Sequence, residues 1–209
     1  MDSGTIARME VDDRARLEET IRAHCDGSRF SEAVTAAVRG FGPEILGYLV
    51  AMSKSEIDAN DAFSLFCEDL WRGLPRFRWA SSFRTWAYTL ARHALFRLSR
   101  DPERRHPKIA LSQSPQLAEL AVQVRTTTML AMRTEAKSKI TELREQLEPD
   151  DRTLLILRID RKLSWQDIAR VMAEEELSAP DVTKIAATLR KRFERVKDRL
   201  RKLAAEADV

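Results

Sequence analysis

Glycine and proline are scarce in this chain of 209 residues, at six and seven respectively. Alanine, leucine, arginine and glutamate take their place, a balance that favours helix. No run approaches the roughly 18 apolar residues of a membrane span, so no membrane insertion is expected. The start, residues 1–10, lacks the basic-then-apolar pattern of a secretion signal. Cys25 and Cys67 are the two cysteines; they are too few for a disulfide framework, and a reducing cytoplasm is the simpler setting. His24, His93 and His106 fall into no metal-ligand spacing with them, which argues against a metal site. No glycine-rich phosphate loop and no nucleophile–base pairing stand out, so neither an enzyme nor a cofactor is expected.

What the chain does have is charge in unusual places. The net charge is only +3. Residues 76–105, however, carry eight arginines against Asp101 and Glu103, a net of +6. Residues 184–202 carry nine Lys or Arg against Glu194 and Asp198, a net of +7, and the remainder sums to −10. Two basic blocks on an otherwise acidic chain point to two contacts with a polyanion.

The hydrophobic pattern predicts an all-α protein of two small helical domains joined by a linker. Residues 1–29 are polar, with a short helical pattern around Leu17 and Ile21, and read as an appended N-terminal arm. A first domain spans 30–105. Its early stripe (Val34, Val38, Ile45, Leu46, Leu49, Val50) is interrupted by Gly40-Phe41-Gly42-Pro43, where Pro43 can open a new helix. A further helix covers 58–71 and ends at Gly73 and Pro75; a basic, aromatic loop (76–82) and a helix to about 98 follow. Pro102, Pro107 and Pro115, with Ser112-Gln113-Ser114, mark a change of composition at 101–116, and 106–134 reads as the linker. A second domain, 135–206, is expected to hold helices at about 135–147, 150–160, 164–175 and 180–205, with Pro149 opening the second and Ser164 capping the third.

Two constellations carry functional meaning. In the last helix Val182, Ile185, Leu189, Phe193, Val196, Leu200 and Leu203 form one seam, with most basic residues outside it. A short helix with Ile168, Ala169 and Met172 facing inward precedes it, and together they have the ingredients of a helix-turn-helix. In the first domain Trp79, Phe83, Trp86, Tyr88 and Phe96 interleave with Arg76, Arg78, Arg84, Arg92 and Arg97. Aromatic rings stack on unpaired bases while arginines hold the backbone, as binding of single-stranded DNA requires. Phe83, Trp86 and Leu90 are equally suited to a core, whereas Trp79, in a loop, is less expected to be buried.

The strings Asp58-Ala59-Asn60-Asp61, Leu70-Trp71-Arg72-Gly73-Leu74-Pro75-Arg76-Phe77-Arg78 and Ser82-Phe83-Arg84-Thr85-Trp86-Ala87-Tyr88 resemble region 2 of the sigma-70 family, most nearly its extracytoplasmic-function group. Leu163-Ser164-Trp165-Gln166-Asp167-Ile168-Ala169 and Thr188-Leu189-Arg190-Lys191-Arg192-Phe193-Glu194-Arg195 resemble region 4. The resemblance implies a sigma factor that binds core RNA polymerase and directs promoter recognition and melting. It implies polymerase docking at Asp58, Asp61, Ser64 and Leu65, and capture of the unpaired −10 strand by Arg78, Trp79, Ser81, Ser82, Arg84, Trp86 and His93. The −35 duplex would be read by Arg190, Lys191, Arg192, Glu194 and Arg195. The partners it implies are core RNA polymerase and promoter DNA, with an anti-sigma factor as a further candidate. The sequence departs from the family's pattern in carrying Ser64-Leu65 where a polar Gln–acid pair is usual, and His93 where Asn is common. The 18 residues between Ala169 and Thr188 exceed the family's tight turn, so the segment 174–180 is expected to extend one of the two helices. A helix-turn-helix regulator that is not a polymerase subunit is the alternative, but it leaves the arginine–aromatic block without a role.

Overall fold

The computed structural model describes residues 3–53, 55–100, 115–133, 139–173 and 175–207. Every regular element among them is helical: α1 (Ser3–Asp26), α2 (Phe30–Met52), α3 (Glu56–Gly73), a 3-10 turn (Leu74–Arg76), α4 (Phe83–Arg100), α5 (Pro115–Arg133), α6 (Lys139–Glu145), α7 (Pro149–Leu155), α8 (Trp165–Met172) and α9 (Ala179–Glu206). A π-helical turn, Ile156–Asp160, continues α7. The chain divides into two compact units, Met1–Leu130 and Ala131–Val209. Serine side chains start three helices: Ser55, Ser164 and Ser178 accept hydrogen bonds from the amides of Asp58, Asp167 and Asp181 at 3.0, 3.1 and 3.4 Å. Each satisfies a donor that the first helical turn would otherwise leave unpaired.

The first unit takes in more of the chain than the sequence pattern suggested. Residues 1–29, read there as an arm, contain α1, which packs along α2 and buries Ile21 completely. The region read as linker contains α5. Its residues Leu117, Leu120, Ala121 and Val124, at helical spacing, are buried, and Arg125 Nη1 donates to Ser64 Oγ of α3 at 3.1 Å. The rest of the proline-rich stretch, 101–114, lies outside the described residues.

A second difference concerns Gly40-Phe41-Gly42-Pro43. It does not interrupt a helix: α2 runs straight through, with Pro43 inside it. An internal proline removes one backbone hydrogen bond. Here Val34, Ala37, Val38, Phe41, Ile45, Leu46, Tyr48 and Leu49 are all at most 2% exposed, and their burial outweighs that loss. The glycines are sites of close approach. A Cβ on Gly40 would lie 2.2 Å from a methyl of Leu17 in α1, and one on Gly42 would lie 3.1 Å from Val124 of α5. The missing side chains let two helices settle against α2.

In the second unit, Leu154, Leu155, Ile156, Leu157, Leu163, Ile168, Ala169 and Val171 meet Val182, Ala186, Leu189, Phe193 and Val196 of α9. Leu147, Leu155 and Val196 form a cluster against which Leu200 and Leu203 pack. The seam anticipated in the last helix is therefore present, with Ala186 added. Ser164 caps α8 and Pro149 opens α7, as expected. Among the extra residues before Thr188, those from 179 on form the opening turns of α9, which are capped by Ser178.

Gly40→Ala tests the close approach of α1. Alanine is favoured over glycine in a helix by about 1 kcal/mol, but overpacking typically costs about 1–3 kcal/mol. A net destabilisation of about 1 kcal/mol is expected in urea unfolding, and it should vanish in the Leu17→Ala background. A stabilised Gly40→Ala protein would show that Leu17 moves aside freely.

Candidate nucleic-acid interface

The segment 77–82 joins the 3-10 turn to α4 and gathers an aromatic group. Phe77 is its centre. Its ring stacks on Trp86 (centroids 4.4 Å apart, interplanar angle 15°), tilts against Trp79 (4.9 Å) and meets Phe83 edge-on (6.3 Å). Phe83 in turn packs on Phe41 of α2 at 5.5 Å, tying the group to the core. Trp86 is half-buried, covered by Phe77 and by Gly73, where a Cβ would come within 3.0 Å of the indole. Trp79 is half-buried and left-handed, with φ 57°, and Arg22 of α1 lies over its ring at 5.3 Å. Arg78 is exposed and Ser81 half-buried. Ser82 is taken by local structure: its Oγ accepts from the amide of Thr85 at 3.1 Å, starting α4. His93 sits half-buried on α4, seven residues beyond Trp86.

The arginines of this block divide into two kinds. Arg84 is turned inward, where its guanidinium pairs with Glu44 of α2, Nε lying 3.0 Å from Oε1. The Tyr88 hydroxyl donates to the same oxygen at 2.7 Å, and Arg14 of α1 stands 3.9 Å from Oε2. Burial pushes the Glu44 carboxyl up. The hydrogen bond and charge of Arg84, then Tyr88 and Arg14, outweigh it and hold its pKa below the ordinary glutamate value. Burial likewise opposes the Arg84 charge, yet Glu44 raises its pKa above that of an ordinary arginine. Arg92 is 5% exposed and lies over Phe96 at 4.4 Å. Arg97 pairs with Asp69 of α3, whose carboxyl is nevertheless raised, chiefly by burial and further by Glu68. Arg76, Arg78 and Arg100 remain exposed. Part of the first basic block therefore holds helices together.

On α3, Asp58 and Asp61 are half-buried. Ser64 and Leu65 are buried, at 8% and 6% exposure, and Ser64 bonds to Asn60 O and to Arg125 of α5.

In the second unit, Trp165 at the start of α8 meets Phe193 edge-on at 5.4 Å, with Arg158 and Arg190 over its ring at 4.8 and 5.9 Å. Arg190, Lys191, Glu194 and Arg195 are exposed on α9. Arg192 is not: its Nε donates to Asp151 at 2.6 Å and a second nitrogen lies 3.9 Å from Asp150, clamping α9 to α7. Glu194 pairs with Lys197 at 2.8 Å. Asp151, Arg192, Arg195, Val196 and Arg199 line a recess of about 270 Å³.

Glu18 of α1 accepts from the Arg84 amide at 3.0 Å; it, Arg22, Glu44 and Phe77 belong to these arrangements but do not stand out in the sequence. Phe77 had a signal, its place between Arg76 and Arg78. Glu18 and Arg22, four apart in a polar stretch, look like any solvated helix pair. Among the described residues no group of acidic, His or Cys side chains is arranged to hold a metal ion, and no helix is long and apolar enough to cross a membrane.

Residues 37–105 match the family model of Sigma-70 region 2. The matched span runs from the middle of α2 through α3, the aromatic loop and α4. No curated protein and no solved structure matches the chain.

Glu44→Gln should destabilise the first unit by roughly 1–3 kcal/mol, because it leaves Arg84 without its charged partner. A carboxylate with a depressed folded pKa contributes stability above its unfolded pKa and loses it as pH falls through the folded one. Wild-type stability should therefore fall through and below the ordinary glutamate range, and the Glu44→Gln profile should be flatter there. Parallel profiles from denaturant titrations at a series of pH values would show that Glu44 is not the linked group.

Proposed function

We propose that the chain is a sigma factor of the extracytoplasmic-function type, which binds core RNA polymerase in the cytoplasm and directs promoter recognition and melting. The observation that carries this reading is the region 2 match over α2–α4, which spans the aromatic–arginine loop. In this reading the first unit serves polymerase and the −10 strand, and the second reads the −35 duplex. The factor performs no chemistry of its own; melting is driven by the binding energy that captures unpaired bases. Reconstitution with core polymerase tests it directly, since promoter-dependent transcripts are expected only when the chain is added. Promoter binding without transcription would favour a helix-turn-helix regulator that acts apart from polymerase.

The geometry narrows the assignment of residues. Trp79 is the candidate base platform, flanked by exposed Arg78 and half-buried Ser81, with His93 on the following helix. Arg84, Ser82 and Trp86 support that loop through their internal bonds and stacking. Docking on polymerase falls to the partly exposed Asp58 and Asp61 of α3. Ser64 and Leu65, being buried, shape that helix from beneath. On α9, Arg190, Lys191 and Arg195 offer donors for a major groove and Glu194 an acceptor for a cytosine amine, while Arg192 serves the fold. An anti-sigma factor would act by covering one of these faces.

Trp79→Ala should lower open-complex stability by the roughly 1–3 kcal/mol that base stacking supplies, or roughly 5- to 150-fold at about 1.4 kcal/mol per decade. Permanganate reactivity of thymines in the melted strand measures this, and reactivity equal to wild type would reduce Trp79 to packing.

At one fixed salt concentration, Arg195→Glu should abolish binding to a −35 duplex, and Arg190→Ala and Lys191→Ala should weaken it. Arg192→Ala should instead lower the melting temperature of the second unit. Isotherms unmoved by the three surface substitutions would remove α9 from the interface.

A further inference from the structure

We propose that Glu18 and Arg22 of α1 are positioning residues of the base-capture loop, which makes the N-terminal helix part of the promoter-melting apparatus. The inference rests on the reading of Trp79 as the base platform.

The loop's conformation needs outside support. Trp79 has φ 57°, a region where an L-residue other than Asn or Asp is sterically disfavoured. Such a conformation persists only where its surroundings over-determine it. The loop contributes Phe77, 4.9 Å from the indole. The second contact comes from α1, where the Arg22 guanidinium lies over the ring at 5.3 Å. A cation over an aromatic face is attracted by the ring's quadrupole, which offsets part of that backbone penalty. It also fixes the plane of the ring.

One helical turn earlier, Glu18 holds the far end of the loop. Its Oε1 accepts from the amide of Arg84 at 3.0 Å and its Oε2 from the amide of Phe83 at 3.3 Å. These are the first two amides of α4, which no carbonyl of that helix can reach. Ser82 satisfies a third, that of Thr85. A carboxylate at this position also meets the positive end of the α4 dipole. Glu18 thus completes the N-terminus of α4 from a helix 65 residues away in sequence.

The platform beneath these two side chains is closely packed. Ile21, between them, is fully buried, and Leu17 sits against Gly40 too closely for any side chain there. Arg14, one turn before Glu18, reaches toward the half-buried Glu44 carboxylate that also holds Arg84. The face of α1 bearing residues 14, 18 and 22 therefore follows the loop from the root of α4 to the indole. A ring ordered before DNA arrives loses less freedom when a base stacks on it, which is the general advantage of preorganisation.

The test uses the full chain and has two arms. Hydrogen exchange of the 77–86 amides, without DNA or polymerase, should speed up in Glu18→Ala and Arg22→Ala. It should recover in part with Arg22→Lys and Glu18→Gln, which also serve as the folded controls. In the second arm, holoenzyme reconstituted with Arg22→Ala should lose about five- to tenfold in permanganate reactivity at the melted thymines, an order set by one exposed cation–π contact plus loop order. Arg22→Ala should cause no further loss in the Trp79→Ala background, because Arg22 acts through the indole. Unchanged exchange in both alanine variants overturns the proposal. So do losses that add in the double variant, since Arg22 would then be touching the DNA itself. A wild-type holoenzyme that melts no promoter overturns the functional reading instead, and the exchange arm still decides whether α1 orders the loop.

Discussion

In the first unit the Glu44 carboxylate orients the helices packed around α2. Glu44 projects from α2 into the angle between α1 and α4, where it binds Arg84, accepts from Tyr88 and lies near Arg14. Two helices, α1 and α4, thus converge on two oxygen atoms carried by a third. A buried ion pair is not by itself a strong source of stability, because desolvating both charges offsets most of their attraction. Its importance is directional. Bonds to the fork of a guanidinium and to a phenol set the rotation of α4 about its axis, and with it the direction in which the preceding loop leaves the helix. The depressed Glu44 pKa is the electrostatic trace of that arrangement. Removing the carboxylate would leave Arg84 charged and mostly enclosed, the costlier way to break such a pair.

This arrangement also explains which parts of the molecule could be read from the sequence. Periodic features could. The α9 seam, the Ser164 cap and the Pro149 start depend on residues within one or two turns of each other, so spacing alone reveals them. Features that pair residues far apart could not. Arg84 and Arg192 stand in runs of arginine and look like their neighbours until Glu44 and Asp151, some 40 residues away, are brought beside them. The Gly40–Pro43 segment misleads for a related reason. Glycine followed by proline reads locally as a break, yet each glycine answers to a side chain on another helix. Residues 3–26 look polar because their apolar content is only a narrow stripe, enough to lie on α2 but not to announce a domain.

The two basic blocks, similar in net charge, differ in physical construction. In the first, Arg84, Arg92 and Arg97 face carboxylates or rings within the fold, and Trp79, Phe83 and Trp86 pack around Phe77. Among the described residues, Arg76 and Arg78 are exposed beside the loop and Arg100 at the end of α4. That suits a site where orientation of a ring matters more than the total field. In the second, all but Arg192 of the residues 190–195 expected at DNA stand exposed along one helix, where several cations can act together on a regular array of phosphates. Under the proposed function, the first block would act through shape at an unpaired strand and the second through charge at a duplex.

The length of α9 bears on how that duplex would be met. In a helix-turn-helix the opening turns of the recognition helix enter the groove. Here those turns, capped by Ser178, present Asp181, Thr183, Lys184, Ala187 and Thr188 to solvent, and the dense positive charge begins only at Arg190. Trp165 and Phe193 fix the position of that charge, since their contact sets the start of α8 beside the middle of α9, about four turns from its first residue. Seating the opening turns deep in a groove would therefore bring hydroxyls and one lysine to the base edges and leave the arginines to the backbone. Seating the middle of the helix would reverse those roles. The basic segment is anchored from both sides, by Trp165 against Phe193 and by Asp151 against Arg192, whereas the opening turns rest mainly on Val182 and Ala186. Base reading needs side chains held on a firm support, and in α9 the firmer support lies under residues 190–195.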